Sequence, residues 1–238
     1  MDEGVHVLAT ERGMTLVEMM IAMVIAMVIS LASFALIDFT MRRAGDVAGR
    51  VDADQRGRVA LDQITRQLRS QVCQTSGTPP MVGGTATNPT DANDASFFVD
   101  LTDDSDPTVA PQLHTLAYQG APNYRIVESD WTAKAPSSPN VDPQYTGSAT
   151  TRVLLTDVLP IGTTPVFSYY DALGNPLTGS LSGTTLGKVA RIDVASRSTP
   201  TGAAKTGNPD PRGSVDFQDR VTVRLVDPNA DNPHLQCA

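Results

Sequence analysis

From Met14 to Ile37 the chain reads MTLVEMMIAMVIAMVISLASFALI, with Glu18 as its single charged residue. About 24 residues at about 1.5 Å each extend about 36 Å as a helix, against a hydrocarbon core of about 30 Å. A secretory signal peptide would instead show a basic leader, an apolar core of about 7–15 residues and a small-residue cleavage site after it. Here the leader carries Asp2, Glu3 and Glu11 against Arg12, and the small residues Ala32, Ser33 and Ala35 lie inside the apolar run. The run therefore reads as a membrane-crossing helix.

The rest of the composition narrows the function. Of 238 residues, 40% are hydrophobic and 18% charged, so the chain has the means to fold. The net charge is −8, which repels a phosphate backbone at long range and argues against general nucleic-acid binding. From Cys73 onward 10 Lys plus Arg stand against 17 Asp plus Glu, so any DNA contact would need a local patch. With 3 His and 2 Cys in all, no zinc cluster, P-loop or dinucleotide fingerprint can be assembled. His6, His114 and His234 lie far apart in sequence, so no catalytic set, cofactor or metal site is expected. The acidic stretch Asp100, Asp103, Asp104, Asp106 lacks the spacing and glycine of a calcium loop and reads as solvated. Trp131 reads as a partly buried core aromatic.

The apolar run opens Gly13-Met14-Thr15-Leu16-Val17-Glu18. This string resembles the type IV prepilin signal, usually G-F-T-L-x-E, which pilins share with the pseudopilins of type II secretion. The resemblance implies that a prepilin peptidase cuts between Gly13 and Met14 on the cytoplasmic side and N-methylates Met14. It also implies that Glu18 meets the N-terminal amine of a neighbouring subunit inside a filament. Glu18 carries independent physical weight, since a carboxylate well inside a membrane helix costs about 2.5–3.5 kcal/mol on insertion scales. The freed Met14 amine, with a reference pKa of about 7.7–8.0, would be a cation able to pair with it. A carboxylate snorkelling to the headgroups is the plainer alternative. The sequence departs from the family pattern twice. Arg42 and Arg43 follow the run while the leader is acidic, against the positive-inside expectation, and no Pro occurs between Met14 and Ser76.

Beyond the run, Ala44, Val47, Val51, Leu61, Ile64, Leu68 and Val72 recur at helical steps, so one helix is expected from Met14 to Cys73. Gly45, Gly49 and Gly57 are its intrinsic weak points. Arg42, Arg43, Arg50, Arg56, Arg58, Arg66 and Arg69 read as a solvated face. From Gln74 the vocabulary shifts to Gly, Pro, Thr and Asp with short β-branched runs. Strands are expected at 96–101, 113–118, 124–128, 152–159, 166–170, 189–195 and 221–226, with an exposed loop over 200–212. Short matches along this half are similar to minor pilins of the PilW kind and J-type pseudopilins.

The expected architecture is thus α+β and pilin-like, with a long N-terminal helix packed on an antiparallel β-rich domain. Its segments are a leader at 1–13, a transmembrane half-helix at 14–37, an amphipathic half-helix at 38–73 and an extracytoplasmic domain at 74–238. The implied role is a minor pilin or pseudopilin of a type IV pilus or type II secretion pseudopilus, with no reaction of its own. Its implied partners are prepilin peptidase, other pilin or pseudopilin subunits, the inner-membrane assembly platform and membrane lipid. The implied location is the bacterial cell membrane, crossed once, then the extracytoplasmic filament. A tip adhesin or DNA-uptake pilin, and a membrane-tethered enzyme, are the rival classes. Two cysteines in an exported domain pair more often than not, so a Cys73–Cys237 disulfide is expected, closing a loop of about 165 residues worth about 5 kcal/mol of denatured-chain entropy.

Overall fold

The computed structural model describes residues 14–73, 79–83, 89–99, 111–131, 145, 149–204 and 213–223. A single helix, α1, runs Leu16–Arg69 for 54 residues. The chain divides into two compact units, Met1–Asp46 and Val47–Ala238.

In the first unit an exposed apolar helix must satisfy its own polar groups wherever its surroundings offer no partners. It does so: Ser30 Oγ donates to the carbonyl of Ala26 at 2.7 Å, Ser33 Oγ to that of Ile29 at 2.9 Å, and Thr40 Oγ1 to that of Ile37 at 2.9 Å. Charge returns where the apolar run ends. There Arg42 pairs with Asp38 at 2.9 Å and the Arg43 guanidinium lies 5.1 Å from the centre of the Phe39 ring.

In the second unit, helix residues from Val47 onward pack against two antiparallel sheets. The first is a meander in the order β1 (Met81–Val82), β2 (Asp94–Val99), β3 (Gln112–Gln119), β4 (Arg125–Trp131) and β5 (Thr150–Thr156). The second runs β10 (Val215–Thr222), β9 (Arg191–Ser198), β7 (Phe167–Tyr170), β8 (Pro176–Leu177), with β6 (Val158–Leu159) also on β9. The expected α+β fold, helix on antiparallel sheet, is what the structure has. One core joins Ile64 and Leu68 of α1 to Phe97 and Leu116 of the first sheet and Phe167 and Ile192 of the second.

Three differences from the sequence reading have physical causes. First, the segment expected as one strand over 152–159 breaks at Asp157, whose φ is 54°. That left-handed residue turns the chain from the first sheet into the second. An aspartate tolerates it better than most side chains, and its Oδ1 accepts the Gly202 N–H at 2.8 Å. Second, the last strand starts earlier than expected, at Val215, because Phe217 provides a core residue before the β-branched run. Residues 224–226 lie outside the described residues, as do 205–212 of the expected loop, within which Ala204 is fully buried.

Third, the buried stripe of α1 includes Ile64 and Leu68 as expected but departs from the larger residues nearer the start of the unit. Val47 and Val51 are exposed, and the face toward the sheets is Ala53, Gly57, Ala60, Ile64 and Leu68. Small residues let the helix approach closely: a Cβ added at Gly57 would stand 2.1 Å from Cε2 of Phe217. Gly57 is therefore a packing position rather than a weak point. The Arg run is solvated as expected, with Arg58–Asp54 and Arg66–Asp62 pairs at i, i+4, worth a few tenths of a kcal/mol each. Arg56 is the exception. Its guanidinium donates to the carbonyls of Thr156 at 3.0 Å and Thr199 at 2.9 Å while pairing with Asp52, and so ties the helix to the end of β5 and to the residue that follows β9.

At the start of β2, Asp91 Oδ1 accepts the Asn93 N–H at 2.8 Å and the Asp94 N–H at 3.2 Å. Burial, with the Asp91 charge added, pushes the Asp94 carboxyl up to about 6.

Two predictions follow from this packing. Gly57→Ala should lower the unfolding free energy by about 1 kcal/mol, because overpacking of about 1–3 kcal/mol exceeds the helix propensity gained. Gly45→Ala, where a Cβ meets nothing within 4 Å, should be neutral or stabilising; equal denaturant midpoints for the two variants would refute the packing role. For Asp94, the folded pKa of about 6 exceeds the unfolded value of about 3.9, so its protonated form favours folding. That contribution is full below about pH 4 and is lost as pH rises through about 6. Asp94→Asn should hence raise stability by about 1 kcal/mol at pH 8 and have little effect at pH 4, read from urea melts at the two pH values.

Candidate functional site

At the mouth of α1, Thr15 caps the helix. The Thr15 N–H donates to Glu18 Oε2 at 2.9 Å, its hydroxyl donates to the same oxygen at 3.0 Å, and Thr15 Oγ1 accepts the Glu18 N–H at 3.3 Å. This is a capping box, in which residues three apart satisfy each other's free groups. The motif Thr-x-x-Glu at 15–18 was legible in the sequence as a helix start, a role the family reading passed over. Among the described residues, Glu18 has no partner in its own chain besides Thr15. Met14 stands exposed before the cap, and Gly13 lies outside the described residues.

The apolar surface behind this cap is uncovered by the chain itself. From Met14 to Val47 every large apolar side chain is more than half exposed, far beyond the few hundred Å² of contiguous apolar surface that a soluble monomer shows. The helix is long and apolar enough to cross a membrane, with a mean hydropathy of 2.7 over its best window. Exposure, length and cap together make this segment the site where the protein meets something outside its own fold.

Residues 8–34 match the family model described as the prokaryotic N-terminal methylation motif. That N-terminal segment is the kind found in type IV prepilin-like proteins. The matched span takes in the Gly13–Met14 junction, Glu18 and most of the apolar run, and ends before the β-rich half. No curated protein and no solved structure matches the chain. For a prepilin-like chain the motif implies, in general terms, a prepilin peptidase that processes it and other pilin subunits that it joins. The apolar helix fits membrane anchoring.

The other residues singled out from the sequence fall apart in space or beyond view. Cys73 follows the helix end, and no described cysteine is free, while Cys237 lies outside the described residues. His6, His234 and the stretch Asp100–Asp106 lie there too. Trp131 ends β4 half-buried.

A buried polar cluster under the helix went unread in the sequence. It joins Gln67 of α1, His114 of β3, Glu128 and Asp130 of β4 and Arg152 of β5. His114 Nδ1 lies 3.0 Å from Glu128 Oε1 and 3.0 Å from Asp130 Oδ1. Gln67 Nε2 donates to Glu128 Oε1, and Arg152 Nε to Glu128 Oε2. Burial alone would lift the Glu128 carboxyl, but contact with His114 and Arg152 outweighs it and holds the group at about 2. Burial pushes the Asp130 carboxyl up, helped by the Glu128 charge and opposed by His114 and Arg152. The strand register makes the cluster, pairing His114 with Asp130 and Glu128 with Arg152. A hairpin centred on Pro122 would have put positions 114 and 130 opposite, but the sequence-derived strand ended at Glu128 and left Asp130 out.

Proposed function

We propose that the chain is a minor pilin or pseudopilin subunit, which waits in the membrane and is assembled through its apolar helix into a type IV pilus or type II secretion pseudopilus. The observation that carries this reading is the division of labour along α1. Its apolar part is exposed on every side over Met14–Val47, while one stripe from Ala53 to Leu68 is buried by the protein's own sheets. Such a helix has one end anchored in its own domain and the other end free for lipid first and neighbouring helices later. The β-rich unit, large relative to the helix, would supply partner specificity at a filament tip, where it primes or caps assembly.

In this reading the peptidase cuts between Gly13 and Met14, and Glu18 finds the methylated amine of a neighbouring Met14. Thr15 supports the step: its bonds hold the Glu18 carboxylate at the helix mouth, within a turn of the new N-terminus. Desolvated and paired, the two charges would hold together strongly. Removing the carboxylate alone would leave a buried cation, at a cost of about 3–5 kcal/mol.

The proposal also includes a Cys73–Cys237 disulfide that pins the C-terminal tail to the end of the helix. It is supported by the lack of any free cysteine among the described residues and by the extracytoplasmic location.

Glu18 variants separate assembly from membrane residence and from the cap. Glu18→Gln keeps a side chain that can accept the Thr15 N–H but removes the charge, whereas Glu18→Ala removes both. Both variants should be processed, with intact mass showing loss of residues 1–13 and one added methyl on the wild type. Both should accumulate in the membrane and be depleted from sheared filaments on immunoblots, with filament yield falling as well for a priming subunit. Incorporation of Glu18→Gln at the wild-type level would end the charge-pairing reading, and mature protein still starting at Met1 would end the processing one. For the bridge, non-reducing peptide mapping of the exported protein should recover Cys73 and Cys237 in one linked peptide pair; recovery of both as thiols would exclude it.

A further inference from the structure

His114 has more acceptors around it than its protons can serve. Its Nε2 lies 3.4 Å from Gln112 Oε1, an acceptor that can hold the ring proton when Nδ1 turns its lone pair to a cation. That lone pair stands 3.0 Å from an oxygen of each of Glu128 and Asp130. The His114 side chain is 2% exposed and that of Glu128 fully buried. One further oxygen adds to the imbalance, and one of those already named has no hydrogen bond. Asp130 Oδ1 is buried without a hydrogen bond, and so is Gln67 Oε1, on a residue 6% exposed whose amide rests against Glu128. Buried acceptors that face one another are costly unless a cation lies among them. A single proton on Nδ1 would serve one carboxylate and leave the other bare, whereas a metal ion reaches all three atoms.

We propose that His114 Nδ1, Glu128 Oε1 and Asp130 Oδ1 bind one divalent transition-metal ion of the zinc, cobalt or manganese kind. Metal–ligand bonds of about 2.0–2.2 Å place neighbouring donor atoms about 3 Å apart in octahedral and about 3.4 Å in tetrahedral geometry, near the 3.0 Å seen on both sides of Nδ1. An imidazole among carboxylates selects transition metals over calcium and magnesium, which take oxygen ligands. The supporting contacts have the form that metal sites need. Gln112 orients the far ring nitrogen, and Arg152 holds Glu128 Oε2 so that Oε1 turns inward. The sequence alone called for no metal, because these ligands become neighbours only through the β3–β4 register. With Gln67 of α1 above it, an ion here would brace β3 against β4 at the helix-covered face. This inference is independent of the pilin reading.

The test uses the full mature chain in detergent, freed of metal by chelation. Titration with Co²⁺ should give visible ligand-field bands that saturate at one ion per chain and are displaced by Zn²⁺. Asp130→Asn, at a partly exposed position, should weaken Co²⁺ binding at least about tenfold, and Gln112→Ala, which touches only the far ring nitrogen, about 10–100-fold. Circular dichroism checks that each variant is folded. Nitrogen NMR of the wild type gives a readout that needs no variant: with stoichiometric Zn²⁺ at neutral pH, His114 should keep its proton on Nε2 alone. The proposal fails if the folded wild type shows no saturable one-to-one band, or if Asp130→Asn and Gln112→Ala bind Co²⁺ as the wild type does. It also fails if His114 carries protons on both nitrogens under those conditions, which would give its place to an imidazolium.

Discussion

The globular unit depends on how near α1 comes to the sheets, and Gly57 sets that distance. Where Cβ is missing, the Phe217 ring fills the space, and Ala53 and Ala60 extend the narrow face by a turn on each side. A helix carrying valines on that face would stand further off, and the two sheets would lose the element that joins their cores. Close approach also brings Arg56 within reach of the Thr156 and Thr199 carbonyls, where its planar donors satisfy backbone groups left over at the turn between sheets.

The same helix meets two environments with one backbone. An α-helix bonds its own N–H and C=O groups, so it needs no change of structure to pass from lipid to protein. Only the side chains change: apolar on all sides up to Ile37, then a narrow buried stripe with aspartate–arginine pairs on the solvated face. The capping box at Thr15 and Glu18 satisfies free groups at the exposed N-terminal end of this helix. Local bonds to Thr15 lessen the burden of the Glu18 charge without neutralising it, which leaves it available to a cationic partner.

Among the described residues of the second unit, Glu128 is a fully buried charged group. Glu128 is surrounded by an amide, an imidazole and a guanidinium from three different elements. Removing any one of them would leave buried charge or lone pairs exposed to each other, so the cluster makes the register of β3, β4 and β5 costly to shift.

The sequence by itself determined the long apolar helix, the prepilin-like signal at its start and the α+β class. These rest on local properties: a run of apolar residues, a six-residue motif, and the change in residue vocabulary after Gln74. Most strands were legible for the same reason, since alternation such as Ile192, Val194 against Arg191, Asp193 is a property of neighbours in the chain. What only the tertiary structure decided is where distant segments meet. The valines at 47 and 51 marked a stripe that the sheets do not cover, because the shape of Phe217 favours small residues and shape is invisible in a hydropathy pattern. The break at Asp157 was hidden inside a β-branched run, since one residue in a left-handed conformation moves the chain to another sheet without changing its composition. His114, Glu128 and Asp130 became a site only when an antiparallel register set side chains from different strands on one face, a pairing that depends on long-range packing rather than on sequence spacing.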